Sequence, residues 1–327
     1  MRKLSLLTLL SVCMFNFSFA QNMGAYSAYV EEAWQLYEAA KFEEAAEKYE
    51  EAFDQIEGKA QPNDRYNAAC SYALANNADK AFYHLFYLAD NPDVKYRNYQ
   101  HITNDPDLKS LYGDERWEKL MLTVKENKDE YEKDLDMPLV NMLDTVYQED
   151  QQYRKQINAI QEEYGWDSEE MQAHFRKIVE KDSINLIKVS KILDERGWLG
   201  ADVIGDRGNA TLFLVIQHAG LETQEKYLPM MREAVKKGNA RASSLALLED
   251  RVALRKGEKQ IYGSQVGRNQ ESGAYYVLPL KDPDHVDQRR SAVGLGPLAD
   301  YVARWDIKWD VEAYKEKLPE YEAMQNQ

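Results

Sequence analysis

"YVEEAWQLYEAAKFEEAAEKYEEAF", residues 29–53, decides the architecture. Tyr29, Ala33 and Leu36 recur at the spacing of one helix face, and so do Phe42, Ala45, Tyr49 and Ala52. The stretch therefore predicts two helices paired antiparallel. The alanines let the backbones approach closely, and the bulky residues fill the spaces between neighbouring pairs. The spacing returns 36 residues later, from Ala45 to Ala81, with Ala69, Tyr72, Ala78, Leu85 and Leu88 in the matching places. Residues 91–124 read as a closing half-repeat, in which Asp105-Pro106 marks a turn and a helix start. A stack of helix pairs needs such an end to cover its last apolar face.

The two copies, residues 29–53 and "YNAACSYALANNADKAFYHLFYLA" at 66–89, resemble the tetratricopeptide repeat. The second is the more degenerate. The first lacks the repeat's late proline, and the period is slightly long. The resemblance implies a helical stack over residues 21–124 whose concave face holds a protein or peptide partner. The competing expectation is that so short a stack braces the rest of the chain. His84 lies among aromatics and reads as packing, His101 as a loop or cap residue.

The first twenty residues differ in kind. Arg2 and Lys3 precede an apolar run that ends in Ser18-Phe19-Ala20, which predicts a secretory leader over 1–20 and an exported protein, periplasmic or secreted. The valine before Cys13 is too bulky for a lipoprotein site. Without the leader, Cys70 is the one remaining cysteine, so no internal disulfide is possible. Its alanine-rich setting marks it as a buried small residue. The formal net charge is −15, and two of the basic residues belong to the leader. Such a chain repels phosphate backbones and anionic headgroups, so neither nucleic acid nor membrane insertion after leader removal is expected.

Charge-dense residues 125–138 read as a linker or a helical join. Beyond it, 139–305 reads as a mostly helical domain: a helix ending at Tyr164-Gly165, a second capped near Asp167-Ser168, and a new start at Asp182-Ser183. "GWLGADVIGDRGN" at 197–209 has four glycines and reads as a loop; with no preceding strand and no Gly-Lys-Ser/Thr ending, it is not a nucleotide cradle. "ATLFLVIQHAG" at 210–220 is apolar all round and predicts a buried helix. "QIYGSQV" and "AYYVLPL" flank "GRNQESG" and predict a β-hairpin. Residues 306–327 read as a frayed polar tail. The fold class expected is mainly α: a helical hairpin stack, then a mostly helical α+β domain with one hairpin.

"GWLGADVIGDRGNATLFLVIQH", "LPMMREAVKKG", "LALLEDRVALRKGEKQIYGSQ" and "DPDHVDQRRSAVGLGPLADY" together resemble the bacterial domain-of-unknown-function family 6624 over about residues 140–304. The resemblance implies a mostly helical fold and carries no activity.

Candidate chemistry gathers in the same half. His218 follows an apolar run, where a general acid or base could stand with Asp250 or Asp282 holding it. Arg251 and Arg255 share a helix face and could grip a small anion. Gln260 and Tyr262 would share one face of a regular strand, and Gln265 joins them only if the chain bulges at Gly263. The alternative for these residues is a buried polar network tying helices to the hairpin. No histidine pair has metal-ligand spacing, no Gly-x-Ser-x-Gly elbow occurs, and neither metal nor cofactor is expected. The leading expectation is an exported interaction scaffold acting through its repeats. The competing one is an enzyme acting on a small anionic substrate through His218.

Overall fold

The alanine spacing produces helical hairpins. The computed structural model describes residues 5–269 and 272–325, with side chains from Asn22 onward; residues 1–4 and the side chains of residues 5–21, where the sequence predicts a leader, Gln270 and Glu271 of the hairpin loop, and the last two residues lie outside that description. Helices α1 (Ser5–Glu38) and α2 (Phe42–Gln55) form the first pair, α3 (Pro62–Leu74) and α4 (Ala78–Asp90) the second. Ala33, Ala45, Ala69 and Ala81 are all fully buried, which is what close helix approach requires. Pro62 opens α3 and the Asn77 side chain caps α4 by accepting the Lys80 N–H. Then come α5 (Tyr99–Asn104), a 3-10 turn at Pro106–Leu111 capped by Asp105, and α6 (Glu115–Glu132) capped by Asp114. Leu108, Leu111, Leu120 and Val124 from these pieces close the core left open by α3 and α4.

A buried polar tie crosses the stack. His84 is fully buried, meets Arg65 at 3.3 Å through Nδ1 and Glu50 at 3.2 Å through Nε2, and lies flat against Tyr72. It packs α4 onto α2 and α3. Cys70 is buried beside Asp105, and burial pushes its thiol up, disfavouring the thiolate.

Residues up to Lys133 form one compact unit and Asp134–Gln327 a second. The second begins with α7 (Met137–Arg154), α8 (Ile157–Tyr164), α9 (Glu169–Arg196), α10 (Ala201–His218), α11 (Leu221–Lys236) and α12 (Ala242–Arg255). Their core runs through Leu143, Val146, Val189, Leu212, Ile216, Tyr227, Met231 and Leu248. Ser168 caps α9 by accepting the Met171 N–H, and Gly197 ends it at φ 72°.

The structure departs from the sequence expectation in three places. Asp182-Ser183 does not start a helix. It lies inside α9, where Asp182 pairs with Arg154 across the helix interface. The glycine-rich stretch 197–209 is not a loop either, because α10 begins at Ala201. Gly205, at φ 70°, kinks that helix, and a Cβ on Gly208 would stand 3.1 Å from Ile204 and 3.2 Å from Leu143. Glycine here serves close helix packing.

Residues 306–327 are not a frayed tail, because a helix that buries Tyr314 fills most of them. After the hairpin of β1 (Val266–Arg268) and β2 (Tyr275–Val277), antiparallel with Val266 opposite Val277, come α13 (Val286–Ala292), α14 (Leu298–Val302) and α15 (Val311–Gln325). Asp310 starts α15 by accepting the Ala313 N–H. Tyr314, Leu318 and Tyr321 lie on one face of α15, and Tyr314 is buried, accepting the Leu280 N–H at 2.8 Å and donating to the Leu278 carbonyl at 3.0 Å. The fold is mainly α with one β-hairpin. Among the described residues no helix is long and apolar enough to cross a membrane.

Candidate functional site

A helix end leaves carbonyls without intrahelical partners, and the end of α10 is where the polar residues of the second unit converge. Arg251 and Arg255, one turn apart on α12, both reach it. Arg251 donates to the Gln217 carbonyl at 2.9 Å, Arg255 to the Ala219 carbonyl at 2.7 Å. Gln224 on α11 donates to the same Gln217 carbonyl at 2.8 Å. Arg251 also donates from Nε to Gln265 Oε1 at 3.2 Å. Neither arginine pairs with a carboxylate among the described residues. Burial, and the charge of Arg255 beside it, hold the Arg251 guanidinium below its ordinary range.

His218 closes α10, and its Nδ1 lies 2.9 Å from Asp150 Oδ1. Asp150 comes from α7 and its side chain is 1% exposed. Burial would raise the Asp150 carboxyl, but the bond and charge of His218, with Arg154 and Gln151, hold it below its usual range. Arg154 stands 3.2 Å from Asp150 and 2.7 Å from Asp182, so the four groups form a chain, His218–Asp150–Arg154–Asp182. Asp150, Asp182 and His218 lie close enough together to hold a metal ion, but the cation between the two carboxylates is the Arg154 guanidinium. A carboxylate on Nδ1 keeps the neutral ring's proton there and leaves Nε2 as the basic nitrogen. That nitrogen bonds no described residue, on a side chain 18% exposed.

The carboxylate on His218 is thus neither Asp250 nor Asp282. Asp250 is fully buried and accepts three backbone N–H groups, Ile261 at 2.6 Å, Tyr262 at 2.9 Å and Ser264 at 2.9 Å. Burial still pushes its carboxyl above the usual range. Asp282 takes a left-handed backbone conformation near His285 and Arg289. Residues 260–265 do not form the strand that would align them; they wrap the Asp250 carboxylate, with Gly263 at φ 69°. Gln260 accepts the Gln265 N–H at 2.9 Å and donates to the Gln265 and Leu278 carbonyls. The Tyr262 carbonyl accepts from Arg290 at 2.8 Å. Gln260, Tyr262 and Asp250 therefore build the loop, while His218, Arg251, Arg255 and Gln265 stand together at the helix end.

Asp150, Arg154, Asp182 and Gln224 join the site although the sequence reading did not select them. Only the i, i+4 spacing of Asp150 and Arg154 could have drawn attention. His174 bonds the Tyr153 carbonyl and His285 bonds Asp282, so neither joins His218.

A search of curated proteins and of solved structures finds no match to the chain. A family model does match, over residues 134–314, described as a family of unknown function (DUF6624). The match takes in α7 to α14 and the whole polar cluster, more than half of the chain, and the protein belongs to that family.

Proposed function

We propose that the second unit binds a small anion over Arg251 and Arg255, and that His218, backed by Asp150, exchanges a proton with it. The observation that carries this reading is the pair of adjacent guanidiniums with no carboxylate partner beside an imidazole whose outer nitrogen is uncommitted. Carbonyl dipoles at the end of α10 orient the arginines but leave their full charges uncompensated. A carboxylate or phosphate meets two guanidiniums with charge-assisted bonds, and a neighbouring imidazole can act as general acid or base. Calorimetric titration of the full chain with inorganic phosphate and phenyl phosphate tests it. Arg251→Gln and Arg255→Gln should each weaken binding at least tenfold, and His218→Gln should leave binding within a few-fold. Absence of saturable binding to the unaltered chain would rule the reading out.

A second reading concerns the first unit, whose pairs follow a tetratricopeptide-like pattern and would hold a protein segment. Its support is a hollow of about 420 Å3 lined by Tyr83, Phe86, Tyr87, Asp90 and Pro92, with Tyr83 59% exposed. Exposed aromatics beside a hollow suit an extended peptide. If this reading holds, Tyr83→Ser, at a largely exposed position, weakens binding of a partner at least tenfold while thermal unfolding is unchanged. The leader-like residues 1–20 add export to either reading. Mature chain from native cells would then begin at Gln21.

A further inference from the structure

A second site lies away from α10, between β2, the segment 307–310 and α15. A cavity of about 120 Å3 opens there, walled by Tyr276, Trp309, Tyr314 and Tyr321. The rings fix one another: Tyr276 stacks on Tyr321 at 4.6 Å, Trp309 meets Tyr314 at 4.9 Å, and Tyr314 meets Tyr321 at 5.7 Å. Tyr314 is anchored through its hydroxyl, between the Leu280 N–H and the Leu278 carbonyl. The walls are therefore preformed. A volume of roughly 150 Å3 accommodates a benzene ring, so this opening, aromatic on its walls and charged at its rim, has room for a single ring.

Charge supplies the second half of the argument. Lys308 and Lys317 line the same cavity, and neither ammonium bonds a described residue. Of the acids around them, Asp310 also lines the cavity and caps α15, Asp284 and Glu312 pair with Lys315, Glu322 pairs with Lys259, and Glu316 and Glu320 flank Lys317 on α15. A ring-sized aromatic slot with two ammonium groups at its rim, neither bonded to a carboxylate, has the complement of a ring-bearing carboxylate.

We infer that this cavity binds an aryl carboxylate, the ring between Tyr276 and Trp309 and the carboxylate against Lys308 and Lys317. Such a group occurs as a free aromatic acid or as the terminal phenylalanine of a peptide. Calorimetric titration of the full chain with 3-phenylpropanoate, N-acetyl-Ala-Ala-Phe and the C-terminal amide of that peptide separates these sources. Saturable binding of either carboxylate is expected, with the amide weaker by at least tenfold. Preference for the peptide would assign a chain terminus, equal or better binding of 3-phenylpropanoate a free acid. The double variant Lys308→Ala/Lys317→Ala, altered only at exposed positions, should weaken binding at least tenfold. Ala313→Trp, which fills the slot from α15, should abolish it. No saturable binding of either carboxylate, or binding unchanged in both variants, would overturn the assignment.

Discussion

Asp150 and His218 stand 68 positions apart in the chain and 2.9 Å apart in space, carboxylate oxygen to imidazole Nδ1. The bond forms only where α7 and α10 pack against each other. The pair therefore reports on the packing of the second unit as well as on its chemistry.

Removing the Asp150 charge should show this. Asp150→Asn leaves Arg154 and His218 facing a neutral amide at a buried position. Arg154 keeps Asp182, so the loss is that of charge-assisted hydrogen bonds at a buried position, about 1–3 kcal/mol, and urea unfolding at pH 7 should register a loss of that order. His218→Gln removes only the partly exposed member and should cost about 1 kcal/mol.

Asp250 has a different duty. Its carboxylate gathers the N–H groups of Ile261, Tyr262 and Ser264 into one turn. Asp250→Ala should destabilise the chain by on the order of 3 kcal/mol. Amide hydrogen exchange should speed up at those three residues and remain slow in α7 and α9.

Gly208 tests the close approach of α7 and α10. A Cβ there meets Ile204 and Leu143 at 3.1 and 3.2 Å. Gly208→Val overpacks the contact and should cost about 1–3 kcal/mol. Gly208→Ala should come out near neutral, because gained helix propensity of about 1 kcal/mol offsets the tight methyl. Comparison of the two melting temperatures checks the difference.

The first unit carries a pH dependence. The bond from His84, set against partial burial and aided by Lys80, holds the Glu50 carboxyl down to about 2 from its ordinary 4.5. A carboxyl with a lowered folded pKa stabilises the native state above its unfolded value, and that contribution disappears as pH falls through the folded one. Glu50→Gln should therefore be less stable than the unaltered chain at pH 7 by about 2 kcal/mol. The gap should close between pH 4.5 and about 2. Denaturant unfolding at several pH values measures it.

Much of this fold was legible because its signals are local. Ala33, Ala45, Ala69 and Ala81 announce helix pairs by spacing, Ser168 and Gly197 mark the ends of α9, and the hairpin shows in two β-rich runs. Glycine misled at 197–209, because Gly208 answers to Leu143 on another helix, a contact that no window around residue 208 contains. Asp182 misled in the same way: its partner Arg154 lies on α7, and without that partner an Asp-Ser pair reads as a cap. At the candidate site, His218, Arg251, Arg255 and Gln265 stood out as residue types without an evident structural duty. Asp150 did not, since a carboxylate among many acidic residues acquires meaning only from what the fold brings against it.

The measurement that tests the central proposal most directly is an NMR titration of the His218 imidazole with inorganic phosphate, in the unaltered full chain and in Arg251→Gln. If Arg251, Arg255 and His218 serve one anion site, the ring resonances shift saturably in the first and stay still in the second. Ring resonances of His218 that ignore phosphate in the unaltered chain, or that respond equally in Arg251→Gln, would contradict it.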